Sequence, residues 1–324
     1  MHSKPNRYTS CGLTIQRIGP CLGAEITGID IRKRLNGEQV QVVRDALDEH
    51  ELLVVPDQVG PVEDFVAFGR QIGELSIHPF SPNVPELPEL IILDNHGKNE
   101  PLATDVWHSD ETFRSTPPLA TVLRQTICPE LGGDTLFASM TAAYDRLSDR
   151  MKVHIEGLEA IHDFVPFRKV FADTPEARQK LREIEDKFPR ISHPIVRIHP
   201  TTGRRALFVN RLFTIGIKGL SDHESAALLD VLHRQVDMPE IQYRFQWQKW
   251  PNAIVLWDNR STQHYACRDY IPARRRMERV TLKGDRPSGP IVDFQEKKLV
   301  AQVYGSSDNE QQADEARPVR QAFK

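Results

Sequence analysis

His108 and Asp110 flank a single serine, and a second histidine, His264, closes the distant run Trp257-Asp258-Asn259-Arg260-Ser261-Thr262-Gln263-His264. Two imidazoles and one carboxylate can cap one face of an octahedral metal ion and leave the opposite face open. That is the ligand arrangement of non-haem Fe(II) oxygenases. If Trp107 to Asp110 is extended, alternate side chains share a face, so His108 and Asp110 point together and Ser109 points away. His264 then has to arrive on a remote strand. Alone, an H-x-D pair with a far histidine is a common pattern, and ordinary turn hydrogen bonds account for it equally well.

Downstream, Arg274-Arg275-Arg276-Met277-Glu278-Arg279-Val280-Thr281-Leu282 adds a second chemical element. As a strand it puts Arg275, Met277, Arg279 and Thr281 on one face, with the two arginines roughly 13 Å apart at about 3.3 Å per residue. Guanidinium groups facing a barrel interior need anions, because an unpaired buried charge is costly. Their planar forks suit carboxylates and sulfonates. The plain alternative is a basic, solvated edge strand, a role that Arg274 and Arg276 fit.

Five segments in order carry a resemblance: "WHSDETF", "TPPLATVLRQTICPELGGDTLF", "HPTTGRRALFVN", "WDNRSTQHYACRDY" and "RRRMERVTLKGDRP". Together they closely resemble the taurine dioxygenase family of Fe(II)- and 2-oxoglutarate-dependent enzymes, from about Cys11 to Pro287. The resemblance implies a mainly β fold with helical insertions, a double-stranded β-helix (a cupin-like jelly roll) flanked by helices. It implies that His108, Asp110 and His264 ligate Fe(II), that 2-oxoglutarate is the cosubstrate and O2 the oxidant. It also implies that Arg275, with Thr135, holds the distal carboxylate of 2-oxoglutarate.

The same likeness sets expectations for the primary substrate. His78 and Arg279 match the pair that binds the sulfonate in the taurine enzyme, which points to a small organic anion. Phe113, Phe171 and Phe213 match aromatic pocket positions. Around the amine end of taurine the chain departs from the pattern: Ser81 stands where that enzyme has tyrosine, Thr104 where it has asparagine, and Val170 where it has serine. A less polar pocket holds an ammonium group poorly. The expected substrate is therefore an alkyl sulfonate or alkyl sulfate, hydroxylated beside its heteroatom, with an aryloxy or other carboxylate, or taurine itself, as the alternative. A Zn(II) hydrolase using the same three ligands and a catalytically silent 2-oxoglutarate-binding sensor are the rival classes. The acid at position 110 argues against a halogenase.

The elements needed to position these groups are legible in outline. Gly37 to Glu49 and Val62 to Ile72 have helical periodicity, and Leu52 to Val55 reads as a buried strand. One strand, Leu90 to Leu93, stands out in the Pro- and Asn-rich stretch before the H-x-D motif. Ser139 and Ser148 open two short helices, Thr174-Pro175-Glu176 starts a charged one, and Ser221 to Glu224 is a capping box for another. Ile241 to Trp250 alternates apolar and polar residues like a half-buried antiparallel strand. In this reading helices come first and barrel strands later.

Residues 1–10 read as a flexible N-terminus, 11–290 as one catalytic domain with lid segments at 78–106 and 163–190, and 291–324 as an extension that is largely a mobile tail. His96, His162, His193 and His199 read as structural groups, and His2, His50, His154, His223 and His233 as surface or helix-face residues. With 324 residues and 39% hydrophobic content the chain can bury a sizeable core. A formal charge of −3 gives no basic footprint for nucleic acid or a membrane surface. Four cysteines form no C-x-x-C, so reduced thiols in a cytoplasmic protein are expected. The expected assembly is a homo-oligomer, dimer or tetramer.

Overall fold

Cys11 and Gly12 both hold positive φ, 50° and 78°. Two such residues make the tight turn whose twist matches paired strands, and here they fold Arg7–Ser10 back on Leu13–Arg17. The computed structural model describes residues 5–79, 83–96, 105–164 and 174–291. Its first elements are thus strands, correcting both the flexible assignment of residues 7–10 and the helices-first order. The tail at 306–324 lies outside the described residues, as do parts of both expected lid segments.

The chain is mainly β with a few helices. The large sheet runs Arg7–Ser10, Leu13–Arg17, Ala24–Thr27, Leu52–Val55, Ile254–Asp258, Ala120–Ile127, Arg275–Leu282, Leu87–Asn95, Asn83–Val84, with Leu75–Ser76 also on Arg275–Leu282. Its pairings are antiparallel except that of Ala24–Thr27 with Leu52–Val55. A smaller sheet places Thr135–Ser139 between Gln242–Phe245 and Thr262–Ala266.

Alternation along Leu52–Val55 explains how the layers stack. Leu52 and Val54 pack with Phe137 and Phe245 of the small sheet, with Trp247 just after it, and with Val255, Trp257 and Met277 of the large one. Leu53 and Val55 face the other way, under Val43 and Leu47 of helix Gly37–His50 and Phe65 and Phe68 of helix Val62–Ile72. A strand buried on both faces has to be apolar throughout, and this one is. A third sheet, Ile191–Pro194, Glu159–His162 and Thr214–Ile217, shares a core with the small sheet, where Ala160 and Ile217 cluster with Ala138.

Several sequence expectations need adjusting. Leu90 to Leu93 is the middle of a longer strand, Leu87–Asn95. Of the alternating run at 241–250, only Gln242–Phe245 is strand. Trp247–Lys249 is a 3-10 turn, because the chain must reverse before strand Ile254–Asp258. Its alternation survives as burial, with Phe245 and Trp247 both inside. His50 is buried rather than on the surface, beside the Tyr8 hydroxyl at 3.5 Å. Helices Met140–Asp145, Asp149–Ile155, Pro175–Lys187 and Asp222–His233 start where their capping residues predict. No described helix is long and apolar enough to cross a membrane.

Candidate metal centre and anion pocket

His264 lies on the edge strand Thr262–Ala266, and His108 pairs with it as an isolated antiparallel bridge. The imidazole centroids are 4.1 Å apart. Nδ1 of His108 donates to the Val106 carbonyl at 2.6 Å, leaving the Nε2 lone pair available to a metal. Nε2 of each histidine lies 3.9 Å from Oδ1 of Asp110. Ligand atoms of all three residues sit within 4.8 Å of one another, and all three residues are buried. Ser109 turns away, as expected, and its hydroxyl donates to the Thr262 carbonyl at 2.6 Å.

Burial pushes the His108 pKa down and drives that of His264 well below its ordinary value. Both rings are therefore neutral donors. Burial alone would raise the Asp110 carboxyl, but the Arg279 guanidinium, helped by the hydrogen bond from Thr121, holds the group below the usual carboxylate range. Two neutral imidazoles and an ionised carboxylate converging on one point fit a divalent cation.

Polar neighbours orient the carboxylate. Thr121 donates its hydroxyl to Oδ2 of Asp110 at 2.5 Å. Asn259 donates to the same hydroxyl at 2.9 Å and is itself held by the Trp257 indole at 3.0 Å. Sequence reading missed Thr121 and Asn259, since each is an unremarkable polar residue until the strands Ala120–Ile127 and Ile254–Asp258 bring them together.

A second acidic and histidine cluster, Asp48, His199 and Asp258, also has ligand-like spacing. Its hydrogen bonds assign it elsewhere. His199 Nδ1 accepts from the Thr201 and Thr202 amides, so Nε2 carries the proton and donates to Asp258 at 2.9 Å. Arg260 then bridges Asp258 and Asp48. With no lone pair left on the imidazole and a guanidinium between the acids, this is an ion-pair network.

Arg275 begins the strand Arg275–Leu282 and is 4% exposed. Its Nε donates to the Gly133 carbonyl at 3.1 Å, and Nη2 lies 3.4 Å from the Thr135 hydroxyl. Among the described residues no carboxylate lies within ion-pair distance of this guanidinium. Trp247 also donates to the Thr135 hydroxyl, at 3.0 Å, which fixes its direction. The expected pairing of Arg275 with Thr135 is present.

Four residues along, Arg279 reaches Asp110 instead, with Nη2 3.0 Å from Oδ1. His78 is 5% exposed, and its Nε2 is 3.9 Å from Oε1 of Glu111. Burial and the Arg279 charge lower its pKa to about 3. Glu111, absent from the sequence-based candidates, is also 3.9 Å from Arg279 and accepts from Arg114 at 2.7 Å. Burial raises its carboxyl to about 7. Phe213 meets His108 edge-on at 6.3 Å and packs on Phe113 at 5.4 Å, so both aromatics stand beside the cluster. Phe188, which caps the charged helix, meets Phe113 at 5.7 Å. Ser81, Thr104, Val170 and Phe171 lie outside the described residues.

Residues 14–281 match the family described as "Taurine catabolism dioxygenase TauD, TfdA family". The chain belongs to this family. Among similar proteins, an alkylsulfatase of Acinetobacter baylyi is 34% identical over 286 residues, covering 86% of this chain and 87% of the relative. An alpha-ketoglutarate-dependent sulfate ester dioxygenase of Pseudomonas putida is 32% identical, covering 86% and 91%. A crystal structure of a taurine dioxygenase from Burkholderia xenovorans superposes with a TM-score of 0.72 at 32% identity, covering 86% of this chain and 92% of that one.

Proposed function

We propose that this chain is an Fe(II)- and 2-oxoglutarate-dependent dioxygenase that oxidises a small organic anion, an alkyl sulfate or alkyl sulfonate, at the carbon beside its heteroatom. One observation carries the reading: a buried two-histidine, one-carboxylate cluster includes His264, whose strand pairs with Thr135–Ser139, and Thr135 is in turn met by the buried Arg275, which has no acidic partner within ion-pair distance among the described residues. Family relatives named for sulfate esters favour the sulfate ester as substrate.

In this reading His108 and His264 through Nε2, and Asp110 through Oδ1, hold the metal. Fe(II) with 2-oxoglutarate and O2 supplies the oxidant, and 2-oxoglutarate leaves as succinate and CO2. Arg275 and Thr135 grip its distal carboxylate, a charge-assisted contact in a buried setting. Arg279, helped by His78, takes the substrate anion and so presents the adjacent carbon. Phe113 and Phe213 keep water from that carbon, with Phe171, Ser81, Thr104 and Val170 assigned to the remaining wall by resemblance. The work of these side chains is positioning and exclusion of water rather than proton transfer. Hydroxylation beside a sulfate ester oxygen gives a product that collapses to an aldehyde and sulfate. A sulfonate gives an aldehyde and sulfite.

The two facing sheets are read as a double-stranded β-helix of the jelly-roll type, and residues 11–290 as one catalytic domain. An anaerobic titration of the Fe(II)-loaded protein with 2-oxoglutarate tests the cofactor assignment by its visible metal-to-ligand charge-transfer band. A series of alkyl sulfates should then release succinate in amounts matched to aldehyde, with taurine the poorer substrate. Absence of the band, or sulfate release that proceeds without O2, would overturn the reading, and the second result would favour Zn(II) hydrolysis.

A further inference from the structure

Glu111 directly follows Asp110, yet its carboxylate turns into the anion pocket. Its φ of 48° is left-handed, an uncommon conformation for a glutamate, and the segment after it is firmly held. His193 Nε2 lies 3.0 Å from the carbonyls of both Thr112 and Arg114, and Asn210 donates to the Thr112 hydroxyl at 3.0 Å. Glu111 is 2% exposed. Its Oε1 lies 3.9 Å from Arg279 Nη2 and 3.9 Å from His78 Nε2, the two groups assigned to the substrate anion, while Oε2 accepts from Arg114.

We infer that Glu111 is a specificity-determining residue: it restricts the pocket to substrates with a single negative charge and turns dianions away. The inference rests on the function proposed above. In the loaded site, a divalent metal, the Asp110 carboxylate, the 2-oxoglutarate dianion and Arg275 sum to zero charge. Among the described residues, Arg279, Arg114 and an ionised Glu111 together leave one positive charge, and His78, kept neutral by burial and by Arg279, adds none. A monoanion closes that balance. A dianion leaves an uncompensated charge in a desolvated pocket. Without the Glu111 charge the same pocket would match a dianion. Like charges about 5 Å apart at an effective dielectric near 20 shift an equilibrium on the order of a hundredfold.

The test compares hexyl sulfate with hexyl phosphate at pH 8.5, where a phosphate monoester with a second pKa of about 6 is a dianion. Binding of each to the anaerobic Fe(II)- and 2-oxoglutarate-loaded protein is measured by calorimetry, for wild type and for Glu111→Gln, which keeps an acceptor for Arg114. Wild type should prefer the sulfate about a hundredfold. Glu111→Gln should lower that ratio at least tenfold and leave the 2-oxoglutarate affinity unchanged. Wild-type binding of phosphate as tight as sulfate would overturn the inference whether or not the variant folds, as would a ratio the substitution leaves within threefold. Failure of the proposed function is a separate result: no succinate formed with hexyl sulfate or any other monoanion, whatever the binding ratio.

Discussion

His108 and His264 bond to each other through both backbone amides, His108 N to His264 O at 3.1 Å and His264 N to His108 O at 2.8 Å. One antiparallel bridge therefore sets the two imidazoles, and Asp110 follows two residues later, where the chain turns. If these three side chains hold Fe(II), His108→Ala, Asp110→Ala and His264→Ala should each abolish succinate formation. The bridge uses backbone groups only, so circular dichroism should stay native. Near-wild-type turnover from any of the three variants would refute the ligand assignment.

The two inward arginines should separate by ligand. Arg275→Ala should raise the 2-oxoglutarate requirement about 10- to 100-fold, since a charge-assisted contact is worth roughly 1.5–3 kcal/mol. Thr135→Ala should do so more mildly. Arg279→Ala should weaken the organic anion and leave 2-oxoglutarate binding nearly unchanged. Titrations of each ligand against the other at saturation decide this; equal small effects from Arg275 and Thr135 would count against the anchor.

Thr121 touches the candidate ligand set only through Oδ2 of Asp110. Thr121→Val keeps its shape and removes the donor, and Asn259→Ala removes the residue that orients it. Each should lower Fe(II) affinity about 10- to 100-fold, the usual cost of losing an outer partner of a metal ligand. Competition with a coloured chelator reads the affinity directly. An unchanged value in both variants would make the network merely structural.

Acid should destabilise the metal-free fold. Burial holds His193 near a pKa of about 4, and His162 is driven well below its ordinary value by burial and by His193. Unfolded imidazoles titrate near about 6.5. Between roughly 6.5 and 4 the unfolded chain binds protons that the folded chain refuses, so this stability is present above the window and is lost as pH falls through it. Glu111 acts the other way: its raised pKa of about 7 gives stability present at acid pH and lost as pH rises. Since His78 sits near about 3 and joins the histidine side, the net effect should be a melting temperature several degrees lower at pH 5 than at pH 7. An equal or higher value at pH 5 would contradict this.

The candidate triad and the inward arginines were legible because five family-like segments in order mark them, whereas residue type and spacing alone left turn hydrogen bonds and a solvated edge strand open. Other parts were hidden for physical reasons. Arg7–Ser10 carries little apolar periodicity, and its pairing depends on the φ values of Cys11 and Gly12. Trp247 sits in a run whose alternation suggested a strand, and its hydrogen bond to Thr135 exists because a 3-10 turn brings the indole inward. Glu111 looks like any charged residue beside a motif. Its direction comes from a left-handed backbone, which no residue type at that position announces.

The strand Arg275–Leu282 is paired on both edges, with Leu87–Asn95 on one side and Ala120–Ile127 on the other. It cannot slide without breaking both ladders, so the spacing of Arg275 from Arg279 works as a fixed gauge inside the pocket. If Arg279 holds the substrate headgroup as proposed, that substrate meets the oxidant at a set distance from the headgroup, and lengthening its tail adds atoms only beyond the point of attack. Homologous alkyl sulfates should differ in how tightly they bind while sharing one site of oxidation, which makes the regiochemistry of this protein a property of its backbone.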